Sequence, residues 1–152
     1  MKKLEKIISH RGNLDGKSEF ENTINQIVKA INHGFDVEID LWYVEGKLYL
    51  GHDNPEHECT LEFLNDNSEK LWIHAKNLEA CEYFLNQKKL NWFWHENDKL
   101  TITSKGYPWC NFGIFVKGGI TVCVDYDDIP NYILGVCTDN PIQLLNHGTR
   151  SS

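Results

Sequence analysis

Four polar constellations stand where apolar runs of this chain give way to loops: His10 beside Arg11, Glu38 two residues before Asp40, His52 beside Asp53, and His74 two residues before Lys76. An imidazole titrates near neutrality, so two of them can divide the roles of general base and general acid. The Arg11 guanidinium offers a planar fork of donors that matches phosphate oxygens. Carboxylates at i and i+2 of a strand share one face, and such a pair suits a hard divalent cation, which in turn favours their ionised form. Each feature also has a plainer reading. His10 alone could be a hydrogen-bonded structural residue, and Glu38 with Asp40 could be the solvent face of an edge strand. However, Asp36, Glu38 and Asp40 fall in a segment expected to be a central strand, where unpaired carboxylates are costly and a cation would relieve them. Acid/base groups, an anion receptor and a cation ledge together suit phosphodiester cleavage.

Elements that end at one place must deliver these groups. "KIIS" (6–9) reads as a buried strand running into His10-Arg11-Gly12, and "FENTINQIVKAINHG" (20–34) then places Ile24, Ile27, Val28 and Ile31 at helical spacing before Gly34. "FDVEIDLWYV" (35–44) alternates strictly, and "EGKLYLGHD" turns back from it as a hairpin that carries His52 and Asp53. "KLWIHAK" (70–76) is a further strand. "NLEACEYFLNQKK" (77–89) is a helix with Leu78, Cys81, Phe84 and Leu85 expected inward, and "NWFWHEN" (91–97) is another strand. Beyond residue 98 the segments "KLTITS", "GIFVKG", "ITVCVD" and "YILGVCTD" all read as extended, and only "NPIQLLNHG" reads as a helix. This order argues for parallel strands in an α/β domain.

Composition narrows the class. The 152 residues fit one domain with one core, and 41% hydrophobic content with five tryptophans is too rich for disorder. The formal charge of −7 disfavours a nucleic-acid partner. No long apolar segment or leader pattern is visible, so the expected setting is cytoplasmic with no membrane span. Five cysteines, Cys59, Cys81, Cys110, Cys123 and Cys137, form no Cys-x-x-Cys pair and read as buried thiols.

"SHRGN", "ENT", "DVEIDLW" and "GKLYLGHD", in that order over residues 9–53, resemble the opening of the glycerophosphodiester phosphodiesterase family, within the wider group of phosphatidylinositol-phospholipase-C-like TIM barrels. The resemblance implies that His10 and His52 are the catalytic pair and that Arg11 binds phosphate. It further implies that Glu38 and Asp40 hold a metal and that Glu21 and Asn22 buttress the site. "LWIHAKN" resembles the family's next strand, where a metal-binding Glu precedes a Lys by two residues; Lys76 is kept as a substrate-binding residue, and the Glu position is His74. A neutral imidazole in place of a carboxylate shifts preference from Mg²⁺ or Ca²⁺ toward Mn²⁺ or Zn²⁺, or weakens metal binding. Glu96 could supply the missing carboxylate instead. "GVCTDNP" resembles the family's last strand, so Thr138 or Asp139 lines the site or forms a surface turn.

Length is the second departure. A full (β/α)₈ barrel typically needs about 250 residues, so this chain is expected to form a reduced TIM-type (β/α) barrel with several helices shortened or missing. Exposed strand flanks would remain, which a homodimer could cover. Three readings result: a metal-dependent hydrolase of a glycerophosphodiester or similar alcohol-phosphodiester, a non-catalytic relative that holds phosphate or metal, and a hydrolase of a different bond class on a similar barrel.

Overall fold

The computed structural model describes residues 4–122 and 126–150, with side chains described to residue 147; Cys123 and part of "ITVCVD" lie outside the described residues. After β1 (Lys6–His10) the chain loops to Thr23, which caps α1 (Ile24–Asn32) by accepting the Gln26 N–H on its hydroxyl at 3.3 Å. That cap starts the helix four residues later than the periodicity suggested, and residues 20–22 remain in the loop, where they can reach the site.

Then come β2 (Asp36–Val44), β3 (Lys47–Leu50), β4 (His57–Cys59), α2 (Leu61–Asp66), β5 (Leu71–Ala75), α3 (Leu78–Phe84), β6 (Trp92–Phe93), β7 (Leu100–Ile102), β8 (Pro108–Cys110), β9 (Ile120–Val122), a 3₁₀ turn (Tyr126–Asp128), β10 (Gly135–Thr138) and α4 (Pro141–Arg150).

One curled sheet contains all of these strands. Its parallel stretch runs β8, β9, β10, β1, β2, β5, β6, and β7 lies antiparallel against β8. The two ends approach each other where Ser104, just past β7, gives its N–H to the Trp92 carbonyl of β6 at 2.8 Å and accepts the Trp92 N–H on its hydroxyl at 2.9 Å. β2 is long enough to pair twice along one edge, first with β1 through Asp36–Glu38 and then with the antiparallel β3 through Leu41–Val44, while β5 occupies its other edge. The β3–β4 hairpin therefore rises past the end of β1.

Burial explains the strict alternation in β2. Val37, Ile39 and Leu41 face α1 and α3 in a core that includes Ile27, Ala30, Ile73, Ala80 and Phe84. Asp36, Glu38 and Asp40 face the interior of the curl and are also buried. That interior is filled by Ile8, Trp72, Phe93, Trp109, Ile120 and Cys137, with Trp109 stacked on Phe93 at a centroid distance of 4.6 Å. Burying each such side chain is worth about 1.5–3 kcal/mol. The interior below the site is thus a packed aromatic plug that leaves polar groups only at the strand ends.

Several sequence expectations change. α3 ends at Phe84, not near residue 89, and it faces the sheet with Ala80 and Phe84 at i, i+4, leaving Leu78 and Leu85 exposed. "GIFVKG" is not a strand, because its polar groups close turns: its Ile114 N–H bonds to the Asn111 carbonyl and its Val116 carbonyl accepts the Gly119 N–H, each at 3.0 Å. The strand at that point is the preceding "PWC". β6 is only two residues of the expected 91–97. Among the described residues no α-helix lies between β6 and β10, so the fold is mixed α/β with a curled sheet compatible with a reduced barrel. Among them, too, no helix is long and apolar enough to cross a membrane.

Candidate functional site

β1 delivers His10 inward, and the chain then reverses sharply. Arg11 takes the left-handed backbone at φ 60°, an uncommon and costly conformation for a residue with a Cβ, and Asn22 does the same at φ 58°. The two are tied together, since Asn22 N–H donates to the Arg11 carbonyl at 2.9 Å and Arg11 N–H to the Glu38 carbonyl at 2.8 Å. Gly12 follows at φ 86°, so close to α1 that a Cβ there would stand 3.2 Å from the Gln26 and Ile27 backbone. The strained turn locks loop 11–23 over the ends of β1 and β2.

A cluster of three ligand atoms lies at its centre. One atom each from Glu38, Asp40 and His74 falls within 4.8 Å of the others, and these residues could hold a metal ion. β2 and β5 are adjacent and in register, Asp40 opposite His74, which brings the i, i+2 carboxylates and the imidazole to one wall. Asn22 braces Asp40 from both sides: its amide donates to Oδ2 at 3.0 Å, and its carbonyl accepts the Asp40 N–H at 3.1 Å. His74 Nε2 lies 3.0 Å from the His95 carbonyl, which can only accept, so that nitrogen carries the proton. The unprotonated Nδ1 then faces Asp40 Oδ1 at 3.3 Å and Glu38 Oε2 at 3.8 Å.

Three acceptors that converge in this way suit a cation. Among the described residues Glu38 Oε1 and Asp40 Oδ1 are buried without a hydrogen-bond partner, a condition that a bound ion relieves. Burial, and then the Asp40 charge, push the Glu38 carboxyl well above its usual range. Burial pushes Asp40 the same way, but His74 when its Nδ1 carries a proton as well, and then Asn22 and Arg11, outweigh it and hold its carboxyl low. Glu21, Glu38, Asp40 and Asp139 bring four carboxyls to a single guanidinium. The donor set fits a divalent cation.

His10 joins this cluster to the opposite strand. Its Nδ1 lies 2.7 Å from Asp139 Oδ1, just beyond β10, and its Nε2 lies 3.9 Å from Glu38 Oε1. Burial lowers the His10 pKa, yet the Asp139 hydrogen bond and the Glu38 charge outweigh it, and the imidazole ends above its ordinary value. Asp139 is held low despite burial by His10 and Asn13. It is therefore ionised and accepts from Nδ1–H, which leaves the Nε2 lone pair toward the cluster. Asn13 supports this arrangement by donating to Asp139 Oδ1 and Glu21 Oε2, both at 3.0 Å.

Arg11 is held by Glu21 Oε1 at 3.0 Å, and its buried Nε forms an ion pair with Asp40 Oδ2 at 3.3 Å. Lys76 is partly buried at the end of β5, and its ammonium has no partner among the described residues. His52 is placed by Gly51, whose N–H bonds to the Asp40 carbonyl at 3.2 Å and whose Cα packs so tightly on the Asn54 carbonyl that no Cβ fits. Its side chain is 40% exposed and its Nδ1 pairs with Asp53 at 2.8 Å. Among the described residues no hydrogen bond or ion pair links His52 to His10 or to the three-residue cluster. Glu96 points to solvent, so His74 holds the third corner. Thr138 turns away to accept the Asn140 N–H at 3.1 Å.

Sequence reasoning weighed Asp139 only against a surface turn and missed Asn13 and the His95 carbonyl. The signal for Asn13 was its place in the loop after His10-Arg11-Gly12; a backbone carbonyl leaves none.

No family model matches the chain, and no curated protein does. Its fold is similar to that of a crystal structure, "Putative glycerophosphoryl diester phosphodiesterase" from Silicibacter pomeroyi DSS-3, with a TM-score of 0.52 over 95% of this chain and 94% of that one. Sequence identity is 12%, so the likeness is one of fold.

Proposed function

We propose that the chain is a metal-dependent phosphodiester hydrolase acting on a glycerophosphodiester or a similar alcohol-phosphodiester. The observation that carries this is the sharing of Glu38: one carboxyl faces both the His10 imidazole and the His74 corner of the metal-ligating cluster. An acid/base group and a cation site therefore open on the same space. The four sequence elements of residues 9–53 and the fold likeness support the same reading.

Glu38, Asp40 and His74 would hold the metal, which when bound supplies charge neutralisation at phosphoryl oxygens. His10 Nε2 takes the proton of the attacking hydroxyl or water, and Asp139 holds its ring in the tautomer that permits this and stabilises the imidazolium that forms. Arg11 and Lys76 are the cations that meet the phosphodiester, Lys76 with an ammonium that has no partner among the described residues and Arg11 with the charge of its guanidinium, which Glu21 and Asp40 hold in place. His52, at the rim, protonates the leaving alcohol oxygen.

One observation favours the alternative, a non-catalytic relative that binds phosphate or metal: His52 is paired with Asp53 at the surface and stands apart from the His10 network. Chelator-stripped protein, given a panel of phosphodiesters with Mg²⁺, Mn²⁺, Ca²⁺ or Zn²⁺, separates the two. Turnover with at least one ion supports hydrolysis; saturable metal binding without turnover in every combination supports the binding reading.

A further inference from the structure

The geometry points to a metal centre that selects a first-row transition ion, in the range Mn²⁺ to Zn²⁺, over Mg²⁺ or Ca²⁺, with His74 Nδ1 as the selecting ligand. This rests on the reading of Glu38, Asp40 and His74 as a metal centre.

Three features combine. The third corner of the cluster is a nitrogen, and an imidazole raises affinity along the first transition series far more than for Mg²⁺ or Ca²⁺, which favour oxygen donors. The nitrogen is also presented ready for a metal. Because the His95 carbonyl accepts from Nε2–H at 3.0 Å, the tautomer is fixed with the Nδ1 lone pair toward the carboxylates, and the ring is clamped by stacking on Phe93 at a centroid distance of 5.0 Å. Carbonyl partners of this kind orient metal-ligating histidines and raise their basicity. Finally, the cluster brings only two carboxylates, whereas a Ca²⁺ site takes six to eight oxygens.

An Nδ1 lone pair held against two carboxyl oxygens is repulsive unless a proton or a metal ion lies among them, and a metal ion displaces that proton. Buried Asp40 Oδ1, 3.3 Å from His74 Nδ1 and without a hydrogen-bond partner among the described residues, marks the same centre. His74 is thus a ligand that discriminates among ions as well as a neutral substitute for a carboxylate.

The test uses the full chain, stripped with a chelator, in competition titrations of Zn²⁺ and Mg²⁺, and pulsed electron paramagnetic resonance of the Mn²⁺-loaded protein. The native chain is expected to show ¹⁴N coupling to Mn²⁺, and His74→Glu to lose it. The Zn²⁺-to-Mg²⁺ affinity ratio is expected to fall by more than about tenfold in His74→Glu. A native protein without ¹⁴N coupling overturns the inference, as does a ratio that changes by less than that factor. If His74→Glu does not fold, the coupling in the native chain decides alone. Absence of any divalent-ion binding overturns both this inference and the metal centre, whereas ¹⁴N-coupled Mn²⁺ with no turnover of any phosphodiester leaves the inference standing and defeats the hydrolase reading.

Discussion

Asp139 Oδ1 lies 2.7 Å from His10 Nδ1, although 129 residues separate them in the chain. The contact exists because β1 and β10 are parallel neighbours, Ser9 opposite Thr138, so the residues that follow each strand leave the sheet side by side. It holds the His10 ring in one orientation and raises its pKa against the effect of burial.

Replacing Asp139 by Asn is expected to lower kcat by about 10²-fold or more, because the amide no longer enforces the Nδ1–H tautomer. The pH profile fixes the cause. His10 works as a base only when neutral, so native activity falls as pH drops through a pKa above the ordinary 6.5. Without the Asp139 charge that pKa falls, and the acid limb of kcat/KM is expected to move to lower pH. An unmoved limb would assign Asp139 a purely structural part.

Glu38 makes no side-chain hydrogen bond among the described residues, and burial raises its pKa in the metal-free protein. A carboxyl raised in this way costs stability as pH climbs from its unfolded pKa through its folded one. Metal-free Glu38→Gln is therefore expected to melt a few degrees higher than the native chain at pH 8 and to match it more closely at pH 5. Added metal should raise the Tm of the native chain only. A native-like loss of stability in Glu38→Gln at pH 8 would contradict the electrostatic cost.

Much of this was legible in the sequence. The i, i+2 carboxylates and the strand endings at His10 and His74 pointed to the residues that the fold brings together in the candidate cluster, because strand alternation is a local property. Asp139 was ambiguous since its meaning depends on β10 pairing with β1, a contact between chain ends. α3 was overextended because Leu85 continued the apolar period, although Phe84 already filled the available face of the sheet. "GIFVKG" read as a strand by composition, but turn hydrogen bonds took the Ile114 donor and the Val116 acceptor that a ladder requires.

Asn22 both occupies a left-handed backbone position and braces Asp40 through two hydrogen bonds. Asn22→Ala is expected to cost about 1–3 kcal/mol in urea unfolding, from the orphaned Asp40 groups and the added backbone strain. Metal affinity should fall by about 10–100-fold. Asn22→Gly removes only the strain, so it should recover part of the stability and none of the affinity.

Gly51 sets His52 at the rim, and its replacement by Ala forces a Cβ onto the Asn54 carbonyl. The hairpin gives Leu48 and Leu50 to the core, so the Tm of Gly51→Ala is expected to fall by several degrees, and kcat, measured well below that Tm, to fall about tenfold or more. Equal kcat in the variant would remove His52 from the catalytic role proposed for it.

The central claim is that His10 and the Glu38, Asp40 and His74 cluster act on one phosphorus. The direct measurement follows a glycerophosphodiester by ³¹P NMR with native protein and with His10→Ala, each checked for equal metal loading. Conversion to a phosphomonoester by the native chain with a divalent ion, reduced by at least about 10²-fold in His10→Ala, is the expected result. Turnover that persists unchanged in His10→Ala, or none by the metal-loaded native chain, would contradict it.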